Sequence, residues 1–149
     1  MTDSEFKSLM KLKKKFSEDS ICLPKQGESC MFHVESLSTR DKFYVDTDRS
    51  SKIELKVKIQ NRYALTKQPL VRIDINSPFH RNPDGTRISR NHIHIFKETD
   101  NMTGNLPWAY ELETFDANLF KIQTLDFTQI FYDFCDFCNI EINNIQGVI

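Results

Sequence analysis

The sequence predicts an α+β fold: a single domain over 1–149, with a central antiparallel sheet and an N-terminal and a C-terminal helix packed on one face. Three observations predict it. Apolar residues alternate at every second position in three separate segments, the mark of half-buried antiparallel strands. Helical spacing brackets those segments at both ends of the chain. And 149 residues, 39% apolar and 28% charged, suit one globular domain with a core of its own.

The elements follow in order. Thr2-Asp3-Ser4-Glu5 matches a capping box, a Ser or Thr followed three residues later by Glu. Phe6, Leu9, Met10 and Phe16 then recur at near-helical spacing, so a helix is expected over about 3–17, with Lys11, Lys13, Lys14 and Lys15 on its wet side. Pro24 and Gly27 mark a loop. "CMFHVESL" reads as a strand with Cys30, Phe32 and Val34 on one side. "KFYV" reads as another, closed by a turn at Asp46-Thr47-Asp48.

"KIELKVKI" alternates most cleanly, Ile53, Leu55, Val57 and Ile59 against Lys52, Glu54, Lys56 and Lys58. "LVRIDIN" repeats the pattern with Val71, Ile73 and Ile75 inward, and "HIHIF" repeats it with Ile93 and Ile95 inward. "WAYEL" supplies a short strand. Finally, Asp126 suits an N-cap, and Phe127, Ile130, Phe131, Phe134 and Cys138 form one apolar stripe along a helix.

Composition narrows the function classes. There is no long apolar run to span a membrane, and "MTDSEFKSLMKLKKKF" lacks the apolar centre of a secretory signal. The expected compartment is therefore the cytoplasm, where cysteines stay thiols or bind metal. Net charge is −1, but unevenly spread. From Val45 to Lys97, eleven Lys and Arg face five Asp and Glu, a balance of +6; from Ala109 to Ile149, one Lys faces seven acids, a balance of −6. The basic middle could meet phosphate or an acidic partner.

The chemistry-bearing stretch is "HRNPDGTRISRNHIHIF", residues 80–96. If Ile73, Ile75, Ile93 and Ile95 face the core, then Arg72, Asp74, His92 and His94 share the opposite, open face of two adjacent strands. The 77–91 loop, with His80, Asn82 and the arginines, is expected to fold over that face. Asp74 should lie within hydrogen-bond reach of an imidazole and raise its pKa. One use of this set is general acid–base chemistry: His80, His92 and His94 exchange protons with Asp74 as an orienting partner, and Arg72, Arg81, Arg87 or Arg90 holds a phosphate. An RNA 2′-hydroxyl attacking its own phosphate needs such a set and no metal or other cofactor. A second use is metal binding, since His-x-His on a strand puts two ring nitrogens on one side and Asp74 or His80 completes three ligands. The surrounding Lys and Arg weigh against a cation. The third reading is a decorated hairpin with surface histidines.

Cys22, Cys30, Cys135 and Cys138 could make a four-thiolate zinc site, Cys135-x-x-Cys138 supplying half of it. Against this, Cys138 falls on the apolar stripe beside Phe134 and Phe137, where a thiol packs as a small hydrophobe.

"NSPFHRNPDGTRISRNHIHIFKE" followed by "PWAYEL" resembles a family of small uncharacterised proteins of Gram-positive bacteria and their phages. That family has a Pro-His-x-Asn-Pro-Asp-Gly loop, a His-x-His-Ile strand and a Trp-Ala pair. The matching positions are Pro78, His80, Asn82, Pro83, Asp84, Gly85, His92, His94, Ile95, Trp108 and Ala109, with the "FCNI" ending at Phe137 to Ile140. The sequence departs from the pattern at Phe79, which separates Pro78 from His80, and at Phe96, where Tyr is expected. The resemblance implies no established activity, but it implies a mobile-element setting in which toxins and defence inhibitors are common.

Two functions are therefore expected. The first is a toxin-type, metal-independent endoribonuclease that binds RNA and works by histidine acid–base chemistry, with an antitoxin as a natural partner. The alternative is a non-enzymatic, phage-encoded, anti-defence (anti-CRISPR-like or other) inhibitor of a host protein. Its acidic C-terminal part, with Asp133, Asp136 and Glu141, would imitate nucleic acid. Neither involves a membrane partner.

Overall fold

The computed structural model describes residues 1–52, 55–99, 105–115, 126–143 and 145–146. Helix α1 spans Asp3–Lys11, followed by strands β1 (Lys14–Phe16), β2 (Ile21–Cys22), β3 (Ser29–Ser36), β4 (Lys42–Asp48), β5 (Val57–Tyr63), β6 (Pro69–Ile75), β7 (His80–Arg81), β8 (Arg87–Ile88), β9 (His92–Ile95) and β10 (Ala109–Glu111). Helices α2 (Leu112–Phe115) and α3 (Phe127–Phe137) come next, then β11 (Ile140–Glu141) and β12 (Ile145–Gln146). Eight strands form one sheet in the order β10-β9-β6-β5-β4-β3-β1-β11, while β7 and β8 make a separate hairpin. The mixed α/β architecture, with a large antiparallel sheet and helices near both termini, agrees with the sequence. The sheet departs from pure antiparallel order at its far edge, where β1 and β11 run parallel.

One face of the sheet carries the core. Phe32, Val34, Phe43, Val45, Val57, Ile59, Val71, Ile73, Ile75 and Ile93 are buried there, every second residue along each strand. Against them α3 packs Phe127, Ile130, Phe131, Phe134 and Cys138, its stripe as read from the sequence, and also Cys135. Helix α1 carries the expected capping box, Thr2 with Glu5, but contributes only partly buried side chains such as Phe6, Leu9 and Met10.

Three boundaries differ from the sequence reading. Helix α1 stops at Lys11 rather than near residue 17, because Leu12 turns extended and Lys14–Phe16 pairs with β3. Phe16 gains more from the core, stacked on Phe131 and edge-on to Phe32, than from a further helical turn, a tertiary override of helical spacing. Asp46-Thr47-Asp48 is not a turn but the end of β4, where Asp46 takes a two-pronged ion pair from Arg62 of the neighbouring strand at 2.5 and 2.9 Å. Strand β5 begins at Val57 and runs on to Tyr63, four residues past Ile59. Leu55 precedes that strand, and Ile53 and Glu54 lie outside the described residues.

Lys14 is the largest departure. It is not on a wet helical face but wholly buried, at 0% exposure. Its ammonium donates to the carbonyls of Met10 (3.3 Å), Leu12 (2.8 Å) and Cys138 (2.9 Å), and stands over the Phe43 ring. These carbonyls belong to the C-terminal ends of α1 and α3, which would otherwise lack donors. Asn139, in the left-handed region at φ 62°, reinforces the junction by donating to the Lys11 carbonyl. Burial lowers the Lys14 pKa to about 8.

Lys14→Ala removes three charge-assisted bonds and leaves a cavity, so it should cost on the order of 2–4 kcal/mol of stability. Lys14→Met, which keeps the volume, should cost less. Urea denaturation of the two variants checks this, and an unchanged midpoint in Lys14→Ala would contradict the knot's structural weight.

Candidate functional site

On the sheet face opposite the core, the register of β6 with β9 places Asp74 across from His92 and Arg72 across from His94, while Ile73 faces Ile93 in the core. The alternation read from the sequence therefore holds. The expected open face does not stay open here. His92 and His94 are each 1% exposed and Asp74 is 3% exposed, because two stretches of chain lie over them.

The first cover is the β7–β8 hairpin. Asp84 accepts from the Thr86 backbone at 2.9 Å, and Gly85 takes φ +90°, a left-handed value that suits glycine and closes the turn. Asn82 then ties the hairpin to β10. Its amide donates to the Ala109 carbonyl and accepts from the Ala109 N–H, both at 2.9 Å, as a neighbouring strand would. The second cover is the 105–109 segment. It presents the Leu106 carbonyl to His94 Nδ1 at 2.7 Å and the Pro107 carbonyl to His80 Nε2 at 2.7 Å.

At the centre is Asp74. Arg72 donates to it from both Nε (2.8 Å) and the guanidinium end (3.2 Å). His92 Nε2 lies 3.2 Å and His94 Nε2 3.4 Å from the same oxygen, Oδ2. Arg72 also reaches His94 Nε2, at 3.1 Å. A guanidinium can only donate, so His94 Nε2 accepts and the His94 proton sits on Nδ1, toward Leu106. His92 has acceptors on both sides: the Ser89 carbonyl 2.6 Å from Nδ1, and Asp74. A neutral imidazole carries one N–H and so satisfies only one of them. The His80 ring stands 4.7 Å from that of His94 and 5.8 Å from that of His92.

Burial raises the Asp74 carboxyl pKa, but the His92 and His94 contacts and the Arg72 charge outweigh it and hold the group well below the usual carboxylate range. For His94 the order reverses. Burial leads and, with the Arg72 charge, outweighs the pull of Asp74, so its pKa is lowered, not raised as expected from the sequence.

The other expected phosphate ligands lie elsewhere. Arg81 donates to the Gly85 carbonyl, Arg87 stacks over Phe79, and Arg90 donates to the Ser77 carbonyl. Of the arginines singled out, Arg72 alone touches the cluster. Its side chain is 29% exposed and lines a cleft of about 530 Å³ with Asp46, Asp48, Lys58 and Gln60. Cys135 and Cys138 are buried in the core face, Cys22 is exposed and Cys30 half-buried. Among the described residues, Asp74, His92 and His94 are the one group of three or more His, Cys, Asp or Glu placed to share an ion.

Sequence reasoning missed the orienting partners. The carbonyls of Ser89, Leu106 and Pro107 have no residue signature. Glu111 had one: it alternates with Tyr110 in "WAYEL" and pairs with His92. It holds Ser89 by backbone and hydroxyl, and so aims the carbonyl that meets His92.

The lowered His94 pKa fixes the sign of an acid response. The folded chain binds fewer protons than the unfolded one below the ordinary imidazole value of 6.5, so stability is lost as pH falls through it. Asp74 adds a second loss below the usual carboxylate range. Denaturant midpoints of EDTA-dialysed protein should fall from pH 7 to pH 5, and His94→Gln should flatten that slope.

No curated protein and no solved structure matches the chain. A model for a family of unknown function, DUF6978, matches residues 1–140. The chain belongs to that family.

Proposed function

We propose that the protein is a small endoribonuclease of the toxin type, carried by a phage or mobile element and acting in the host cytoplasm. Its reacting centre is the Asp74–His92–His94 cluster with Arg72. One observation carries this reading: Arg72 binds Asp74 and also lines the open cleft, so a phosphate seated there meets a cation anchored on the cluster. The +6 balance from Val45 to Lys97 suits a polyanionic partner such as an RNA backbone. In the closed arrangement both nitrogens of His92 and His94 are engaged. Proton transfer to a substrate therefore falls to half-buried His80, whose Nε2 holds the Pro107 carbonyl and whose ring abuts His94.

Purified protein should cleave RNA in an assay run both with EDTA and with added divalent metal. His80→Ala and Asp74→Asn should each lose about a hundred- to ten-thousand-fold in rate, the range for an acid–base group, with circular dichroism unchanged. No cleavage by wild type under either condition ends this reading.

A second reading, a partner-binding anti-defence inhibitor, is favoured by a cleft of about 420 Å³ at the C-terminal end of α3, lined by Asp136, Glu141, Tyr132 and Ile142. Reversing Asp133, Asp136 and Glu141 to Lys should abolish capture of a host protein if this is right, and should leave RNA cleavage intact if it is not.

A further inference from the structure

We propose that Asp74 Oδ2, His92 Nε2 and His94 Nε2 together bind one divalent cation of the zinc and manganese class, with a coordination position left open on the side of Arg72. The inference does not rest on RNA being the substrate.

The ligand atoms of these three residues lie within 4.8 Å of one another. The two imidazole–carboxylate separations, 3.2 and 3.4 Å, match the edge of a tetrahedron whose metal–ligand bonds are about 2.0–2.1 Å. Hydrogen bonding points the same way. Both Nδ1 atoms face backbone carbonyls, Ser89 at 2.6 Å and Leu106 at 2.7 Å, so both rings carry the Nδ1 proton and turn Nε2 inward. Two lone pairs would then point at one carboxylate oxygen, with that of His94 accepting from Arg72. A cation at their meeting point satisfies all three at once, and a carbonyl on the far ring nitrogen is how ligating histidines are held. Asp74 Oδ1 is occupied by Arg72 Nε at 2.8 Å, which aims Oδ2 at the rings.

Arg72 shows where the site opens. Its terminal nitrogen sits 3.2 Å from Asp74 Oδ2 and 3.1 Å from His94 Nε2, a positive group at the mouth of the cluster. The partly exposed side chain can swing into the cleft that it lines. A cation entering there keeps three protein ligands and one free position, which suits an oxyanion such as a phosphoester oxygen, or a water to attack it. Two imidazoles and a carboxylate favour zinc, manganese, iron or cobalt over calcium or magnesium.

The test uses the full chain, dialysed against EDTA and titrated with Zn²⁺ or Co²⁺. Wild type, His33→Ala and His80→Ala should each hold one equivalent at the cluster. Asp74→Asn, His92→Gln and His94→Gln should each weaken it by more than the roughly ten- to hundred-fold that loss of an outer partner costs. The Co²⁺ spectrum should lack thiolate charge-transfer bands, which separates this site from the cysteines. Zn²⁺ should shift the Nε2, not the Nδ1, resonances of two histidines in wild-type protein, a readout that stands even where a variant fails to fold. No bound equivalent in wild type, thiolate bands, or undiminished binding by Asp74→Asn overturns the proposal. Cation binding without RNA cleavage leaves it standing and removes the ribonuclease reading; RNA cleavage by protein that binds no cation does the reverse.

Discussion

The polar face depends on the register in which β6 meets β9. Pairing Ile73 with Ile93 fixes which side of both strands enters the core, and so places Arg72, Asp74, His92 and His94 together on the other. A slip of one residue would send two imidazoles and a carboxylate into the layer beneath α3. The apolar residues thus specify the polar constellation without touching it. Their burial is strong enough to hold it: Val71, Ile73, Ile75 and Ile93 are all fully enclosed.

What covers the cluster is of a different kind. The layer over Asp74 is a short hairpin and a loop held by polar groups: Asn82 on Ala109, Ser77 on Arg90, His80 on Pro107 and Ser89 on Glu111. A carboxylate so enclosed needs several partners to offset its lost hydration. Here they come from two strands, Arg72 on β6 and His92 and His94 on β9. Directional bonds rather than bulk give this side its shape, so it holds one geometry tightly and has little slack to repack.

The same contrast explains what could be read from the sequence. Alternation in "LVRIDIN" and "HIHIF", the box at Thr2 to Glu5 and the stripe from Phe127 to Cys138 are periodic signals, and they gave the sheet face, the helix start and the helix face. The convergence of Asp74, His92 and His94 followed from two of them. Lys14 was illegible because nothing local marks a lysine whose partners lie at the ends of two helices. The β1–β11 pairing was hidden because strands of three and two residues carry no period. Phe16 misled outright: it fits a helix by spacing and a strand by burial, and only the aromatic neighbours Phe32 and Phe131 decide between them. The near nitrogens of the imidazoles follow from sequence pattern, while the far nitrogens meet backbone carbonyls that any residue type could offer.

The Lys14 ammonium also bears on how the chain is made. Its bond to the Cys138 carbonyl spans 124 positions, and β1 takes its second neighbour from Ile140 and Glu141. At a synthesis rate of about 5–20 residues per second, the amino-terminal segment waits on the order of ten seconds for that partner. Throughout that interval the lysine has only the two carbonyls of its own neighbourhood and ready access to water. Enclosing it thus waits until Cys138 has been made. The central hairpins can assemble as they emerge, but the sheet edge formed by β1 and β11 must wait for Ile140 and Glu141.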